Sequence, residues 1–364
     1  MKKFVAMTWV LLLCYVSAAW GRTSASSPQS PLSGEAPGAS RPLTLDIVVT
    51  DKSGNPVSGL LQQDFTLLDD KQPKPILSFH ATDQSSGATE PLQIIFIIDE
   101  VNSNPRAVSN GRQQLEKFLR QSDSQLPVPM SLVFFADKST QVQGAPTRNA
   151  ASLIASLKSV DSNLREFNQS SGFYADAERL QHSLNMLGKL IAYETRQPGR
   201  KLMIWLSPGW PLLSLPQDQA QLSRKDQESI FQAVVWLSAH LREARITIYD
   251  IDPLGTEDAA SLQTFYYENF LKGAVSAGKV ENGNRGLQVL AFQTGGRVLN
   301  RSNDLVDLIA TSIADAKTYY TLTFAPAVAD RPNEYHDLQV KISKPGLTAR
   351  TRTGYYAQKL DAAK

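Results

Sequence analysis

Residues 91–104 read PLQIIFIIDEVNSN, and the fold can be read outward from them. From Gln93 to Ile98 the run is almost continuously apolar. That is the pattern of a strand whose sheet is covered on both faces, as in a parallel α/β core. The run stops at Asp99, and Glu100-Val101-Asn102-Ser103-Asn104 forms a polar turn. Groups just past the carboxyl end of a central strand sit where open α/β sheets bind their ligands.

Downstream of this turn the chain alternates helix and strand periods. Helices are expected over Ala107–Leu119, Ala150–Val160, Ala175–Ile191, Asp226–Leu241, Ala259–Phe270, Gly286–Phe292 and Asp304–Ala314. In Ala175–Ile191, Leu180, Leu184, Leu187 and Leu190 recur at spacings of three and four. Strands are expected at Met130–Phe135, Lys201–Leu206, Ile246–Ile251 and Arg297–Leu299. Strands separated by helices imply a doubly wound, mostly parallel sheet over residues 91–316.

Both ends of this region read as β. Leu43, Leu45, Ile47 and Val49 alternate with Thr44, Asp46, Val48 and Thr50, and further strands fall at Phe65–Leu68 and Ile76–His80. After residue 316, Tyr320, Leu322 and Phe324 mark one strand, Leu338, Val340 and Ile342 another, and Leu347–Ala357 closes the set. Neither group has core enough to stand alone. Residues 42–85 and 317–358 are therefore expected to form two halves of one small β-sandwich-like domain, with the α/β domain inserted between them. The alternative is that each extends the α/β sheet separately. Ala81–Glu90 is polar and reads as a linker, and residues 359–364 as a tail.

The chain begins MKKFVAMTWVLLLCYVSAAWG. Lys2 and Lys3, an apolar run and Val16-Ser17-Ala18 make a secretory signal peptide over residues 1–18. The run is shorter than the roughly 20 residues that span a bilayer, so an exported protein, periplasmic, surface-bound or secreted, is expected. Residues 19–41, rich in Ser, Pro and Gly, are expected to be a flexible linker. Cys14 is the only cysteine, which excludes disulfides, thiol chemistry and cysteine-bound metal from the mature chain. Losing Lys2 and Lys3 leaves basic and acidic residues equal at 35 each. No clustered basic face marks a nucleic-acid binder.

Three strand ends carry candidate chemistry. At the first, Asp99 and Ser103 are candidate ligands for Mg²⁺ or Ca²⁺, with Glu100, Asn102 and Asn104 as further oxygen donors. Val101, at i+2, has no oxygen to give, and Asp99 equally suits a turn cap. The second is Leu206-Ser207-Pro208-Gly209-Trp210. Ser207 resembles a nucleophile at a strand end, but Trp205 occupies the first glycine position of G-x-S-x-G, and His80, His182, His240 and His336 offer no placed base. The third is Tyr249-Asp250-Ile251-Asp252-Pro253-Leu254-Gly255, whose carboxylates are either an acid–base or metal pair or a turn cap. No phosphate-binding glycine motif follows any strand.

The segments VVTDKSGNPVSGLLQQDFTLLDD (48–70), IIFIIDEVNSN (94–104), GRKLMIWLSPGW (199–210), ITIYDIDPLG (246–255), YYTLTFAP (319–326) and TRTGYYA (351–357) together resemble the von Willebrand factor A-related proteins of Acidobacteria. The resemblance implies a von Willebrand factor A-like domain with a metal-ion-dependent adhesion site. That site has the pattern D-x-S-x-S on the first loop, a threonine on a second and an aspartate on a third. Asp99 and Ser103 match. Val101 stands in place of the first serine and Pro208 in place of the aspartate, while Ser170 and Ser171 fall where the threonine belongs. The site is therefore expected to be degenerate. The expected function is a non-enzymatic module without cofactor that binds a protein partner through Asn102, Asn104, Ser207, Trp210 and Asp252. The runner-up is a Mg²⁺- or Ca²⁺-dependent adhesion domain, and a Ser207 hydrolase comes third.

Overall fold

The computed structural model describes residues 41–82, 90–136, 140–160, 172–214, 222–257 and 262–358. The expected signal peptide, most of the linker on either side of the first β half, Ser170, Ser171 and the tail lie outside them. The chain begins with β1 (Leu43–Thr50), β2 (Phe65–Asp69), β3 (Gln72–Lys74) and β4 (Ser78–Thr82). The inserted region runs β5 (Leu92–Asp99), α1 (Pro105–Gln121), β6 (Gln125–Phe135), β7 (Thr140–Asn149), α2 (Ala150–Ser159), α3 (Phe173–Glu194), β8 (Arg200–Leu206), α4 (Arg224–Glu243), β9 (Ile246–Ile251), α5 (Leu287–Gln293), β10 (Arg297–Leu299) and α6 (Leu305–Lys317). It ends with β11 (Tyr319–Phe324), β12 (Glu334–Ile342), β13 (Thr348–Arg350) and β14 (Gly354–Ala357).

Strand β5 lies inside a six-stranded sheet of order β10-β9-β8-β5-β6-β7. It pairs in parallel with β6 on one side and β8 on the other. Its apolar run is explained by what covers it. Ile94, Phe96 and Ile98 pack on one face with Leu115 and Leu119 of α1 and Ile309 of α6. Ile95 and Ile97 pack on the other with Leu187 and Ile191 of α3 and Leu237 and Leu241 of α4. The chain leaves β5 toward β6 and returns on its far side to β8, so the switch point of a doubly wound sheet falls between β5 and β8.

Two elements differ from expectation. Strand β7, paired antiparallel to β6 with register shifts, is a sheet edge. Its sequence TQVQGAPTRN has a single large apolar side chain, Val142, and that one is exposed, so β6 supplies the order that its own pattern does not announce. The stretch Leu262–Phe270 winds as a 3₁₀ helix instead of an α-helix. Its buried Tyr267 and Phe270 are three residues apart, a spacing that eclipses at three residues per turn.

The two ends of the chain share one β domain. Strand β1 pairs antiparallel with β11, Leu45 opposite Leu322 and Ile47 opposite Tyr320, and β11 pairs with β4. The second sheet has the order β14-β12-β2-β3. Leu45, Ile47, Phe65 and Leu67 from the first half meet Tyr320, Leu322, Phe324, Leu338 and Tyr355 from the second in one core. Ion pairs hold this domain to the α/β sheet: Asp46 of β1 lies 2.6 Å from Arg245 and 3.8 Å from Arg200, and Arg350 of β13 pairs with the buried Asp315 of α6.

Candidate functional site

Register brings the site together. Ile97, Trp205 and Asp250 are partners across β5, β8 and β9. They therefore lie in one row on one face, and Asp99 follows two residues beyond Ile97 on the same face. Asp99 is fully buried. Its Oδ1 accepts from the backbone N–H of Val101 (3.0 Å) and of Asn102 (2.8 Å). Its Oδ2 accepts from Asn102 Nδ2 (2.9 Å) and from the indole Nε1–H of Trp205 (2.8 Å). Burial pushes the Asp99 carboxyl up, while the donors from Asn102, Trp205 and Val101 pull it back.

Four donors on two oxygens fill the places where a carboxylate accepts. A divalent ion bound through Asp99 has no lone pair left to take, and the indole N–H stands where such an ion would draw charge. Val101 adds to this: it is buried in the core cluster that holds Ile97, Trp205 and Trp210. The residues present do not fit an ion held through Asp99, as the runner-up reading has it. Asn102 Oδ1, Ser103 Oγ and Glu100 Oε1 are nevertheless buried and accept no hydrogen bond from the protein. Of these, only Glu100 carries charge, and it faces Arg112 at 3.8 Å.

Several residues expected to meet a partner are instead part of the scaffold. Trp210 is 2 % exposed and packs edge-on against Trp205, with ring centroids 5.1 Å apart. It is not the exposed contact expected of it; the preceding Gly209 takes a positive φ (+101°). Ser207 is buried, and its Oγ accepts from Gly209 N (3.1 Å). Asp252 is buried, and its Oδ1 accepts from Leu254 N (2.9 Å), shaping the turn after β9. Asn104 is exposed but serves as the N-cap of α1, its side chain accepting from Ala107 N (2.8 Å) with Pro105 at the first helical position. Asn102 is half-buried and also donates to Ser183 Oγ on α3 (2.9 Å), tying the first loop to that helix.

Asp250 has the most unfavourable setting. It is 2 % exposed, and its Oδ1 has no protein partner. Burial first, then the neighbouring Asp252 and Asp99, hold its carboxyl well above the usual range. Sequence reasoning weighed Asp250 as half of a pair with Asp252. It missed Trp205 and Ser183 as partners of the first loop, since only the cross-strand register reveals them. Among the described residues of these turns, Asn104, Pro105, Arg106, Pro208 and Thr256 form an exposed rim. Cavities of about 530 Å³ beside Leu61 and Phe65, and about 450 Å³ between α1 and α6, lie elsewhere.

No family model and no curated protein matches the sequence. Among solved structures the chain is similar to an aerotolerance-related membrane protein from Bacteroides fragilis, at 10 % identity and a TM-score of 0.33, covering 62 % of this chain and 98 % of that one. It is similar to proximal thread matrix protein 1 from the mussel byssus, at 14 % identity and a TM-score of 0.34, covering 74 % of this chain and spanning 50 % of that one. The VWA domain of SpRpn10 superposes at 14 % identity and a TM-score of 0.25, over 66 % of this chain and all of that domain. Among the described residues no helix is long and apolar enough to cross a membrane. The inserted region itself is a doubly wound, mostly parallel six-stranded sheet with an antiparallel edge and helices on both faces.

Proposed function

We propose that this chain is an exported, non-enzymatic interaction module of the Acidobacterial von Willebrand factor A-related type, binding a protein partner at the rim of the strand-end loops without a metal ion there. The observation that carries the reading is the saturation of Asp99 by four protein donors. Trp205 and Trp210 are buried, so among the described residues recognition falls to the exposed rim of Asn104, Arg106, Pro208 and Thr256. Hydrolysis finds no support at Ser207. The hydroxyl is buried, and among the described residues no histidine hydrogen-bonds it; His182 stacks on Phe135 and His240 on Trp236.

The buried, unpartnered oxygens of Asn102 and Ser103 favour the second reading, an adhesion domain whose ion is held by neutral donors and water. Photo-crosslinking residues placed at Asn104, Pro208 and Thr256 in the native cell envelope test the first reading. Crosslinks should concentrate at these positions and be few at Ser122, on the opposite end of the sheet. Their retention under chelation is expected, whereas loss of rim crosslinks on chelation that is reproduced by Ser103→Ala would install the adhesion reading instead.

A further inference from the structure

A second cluster lies in the β domain, away from the strand-end loops. Strand β2 ends at Asp69, and the turn Asp70-Lys71 places two non-glycine residues in left-handed backbone (φ +48° and +66°). Such conformations persist where the surroundings enforce them. Here β12 does so: Asp70 N donates to Asp337 O (2.8 Å), and Asp337 N donates back to Asp70 Oδ1 (2.9 Å). The turn presses both carboxylates against His336 of β12. Nδ1 of His336 lies 3.0 Å from Asp69 Oδ1 and 3.1 Å from Asp70 Oδ2, and the three atoms fall within 4.8 Å of one another.

The other oxygen of each carboxylate is already engaged. Asp69 Oδ2 accepts from Tyr355 OH (2.9 Å), and Asp70 Oδ1 from Asp337 N. The Tyr355 ring stacks on the imidazole, with centroids 5.1 Å apart. Both carboxylates are thus oriented by an outer partner, as metal-ligating carboxylates are, and the imidazole is held by the Tyr355 ring. One imidazole nitrogen carries at most one proton, yet two carboxylate oxygens converge on it. Atoms about 2.0–2.2 Å from a common ion, at about 90–110° to one another, stand about 2.8–3.6 Å apart, and both observed separations fall in that range.

Charge points the same way. His336 is 8 % exposed, and its Nε2 is buried without a partner. Two carboxylates face each other beside it, with Lys74 3.7 Å from Asp69 Oδ2 as a counter-charge. A dication would balance both carboxylates. The mixed nitrogen and oxygen donors suit a transition metal better than Mg²⁺ or Ca²⁺, and the exposed side of Asp70 leaves room for water. We propose that Asp69, Asp70 and His336 bind one divalent transition-metal ion of the Zn²⁺ or Mn²⁺ class. The ion staples the first half of the β domain to the second across 267 residues of sequence, in a chain whose single cysteine allows no internal disulfide.

The test uses the full mature chain after chelation, titrated with Zn²⁺ and with Mn²⁺ by calorimetry and by thermal unfolding. One equivalent is expected to bind at micromolar concentration or tighter and to raise the melting temperature. Asp70→Asn, at a half-exposed position that leaves the fold intact, should abolish binding, and Tyr355→Phe should weaken it at least about tenfold. Asp99→Asn should leave it unchanged, which separates this site from the strand-end loops. Histidine resonances should shift on addition of Zn²⁺ in the wild type and stay fixed in Asp70→Asn. A folded chain that binds neither ion, or binding that persists in Asp70→Asn, would overturn the assignment in favour of a bare ion pair.

Discussion

Replacing Trp205 by Phe removes the indole N–H from Asp99 while keeping an aromatic ring in the core. The bond is 2.8 Å long and wholly buried, and its acceptor is a carboxylate. Hydrogen bonds to charged groups contribute about 1.5–3 kcal/mol. The smaller ring also leaves a void of a few tens of Å³, which adds about 1 kcal/mol at ~24 cal/mol per Å³. A loss of about 3 kcal/mol is expected in urea unfolding. The loss has a pH signature. Burial already raises the Asp99 carboxyl above 3.8, and removing a donor to its ionised form raises it further. The penalty therefore grows as pH rises through the raised value and fades as pH falls below it, where the folded carboxyl is neutral in wild type and variant alike. Asp99→Asn should abolish most of this pH dependence in the double variant. Added Mn²⁺ should not narrow the gap between variant and wild type, because one freed lone pair is too few for a hard cation. A loss below about 1 kcal/mol, or a gap closed by Mn²⁺, would refute the view that the indole N–H stands in for an ion.

Asp250→Asn should stabilise the protein. The raised carboxyl of Asp250 makes ionisation cost the folded state, so the gain appears as pH climbs above 3.8 and disappears below it, each unit of upward displacement being worth about 1.4 kcal/mol; equal stability at all pH values would contradict this. Deleting Tyr319–Lys364 removes both partners of β1, so hydrogen exchange in Leu43–Val49 should lose its protection; unchanged protection there would sink the shared-core description. N-terminal sequencing of protein from the native cell envelope should begin after Ala18, and an intact Met1 would contradict export.

Much of the fold was legible because it is written in local periodicity. The run Ile94–Ile98 announces a strand covered on both faces, and its neighbours Leu202–Leu206 and Ile246–Ile251 repeat the signal. The alternation of Leu45, Ile47 and Val49 with its echo at Tyr320, Leu322 and Phe324 was enough to suggest that distant strands share a core. Strand β7 was invisible, since an exposed edge needs no apolar face. The candidate site was legible only in position. Asp99 could be placed at a strand end, but its link to Trp205 depends on the parallel register of β5 and β8, which no local pattern encodes. Trp210, expected to contact a partner, packs instead against Trp205, a tertiary contact that no local pattern encodes. The approach of Asp69 to His336 joins residues from opposite ends of the chain, beyond any motif spacing.

The way the carboxylates at the strand ends are satisfied indicates what this end of the sheet is built for. Asp99 spends every acceptor on its own loop and on Trp205, and Asp252 spends one on the turn that follows it. Both fix backbone shape. Asn102 carries the first loop across to Ser183 on α3, and Asn104 locks the start of α1. Loops held in this way lose little conformational freedom when a partner arrives, so less of the contact energy goes into ordering them. Asp250 runs against that economy, since a buried carboxylate with an unpartnered oxygen beside two other acids weakens the fold. Perturbed buried acids gather at functional sites, and this one lies beneath the rim. On the proposed reading, a partner meets loops already fixed by these hydrogen bonds, with the buried Asp250 beneath them.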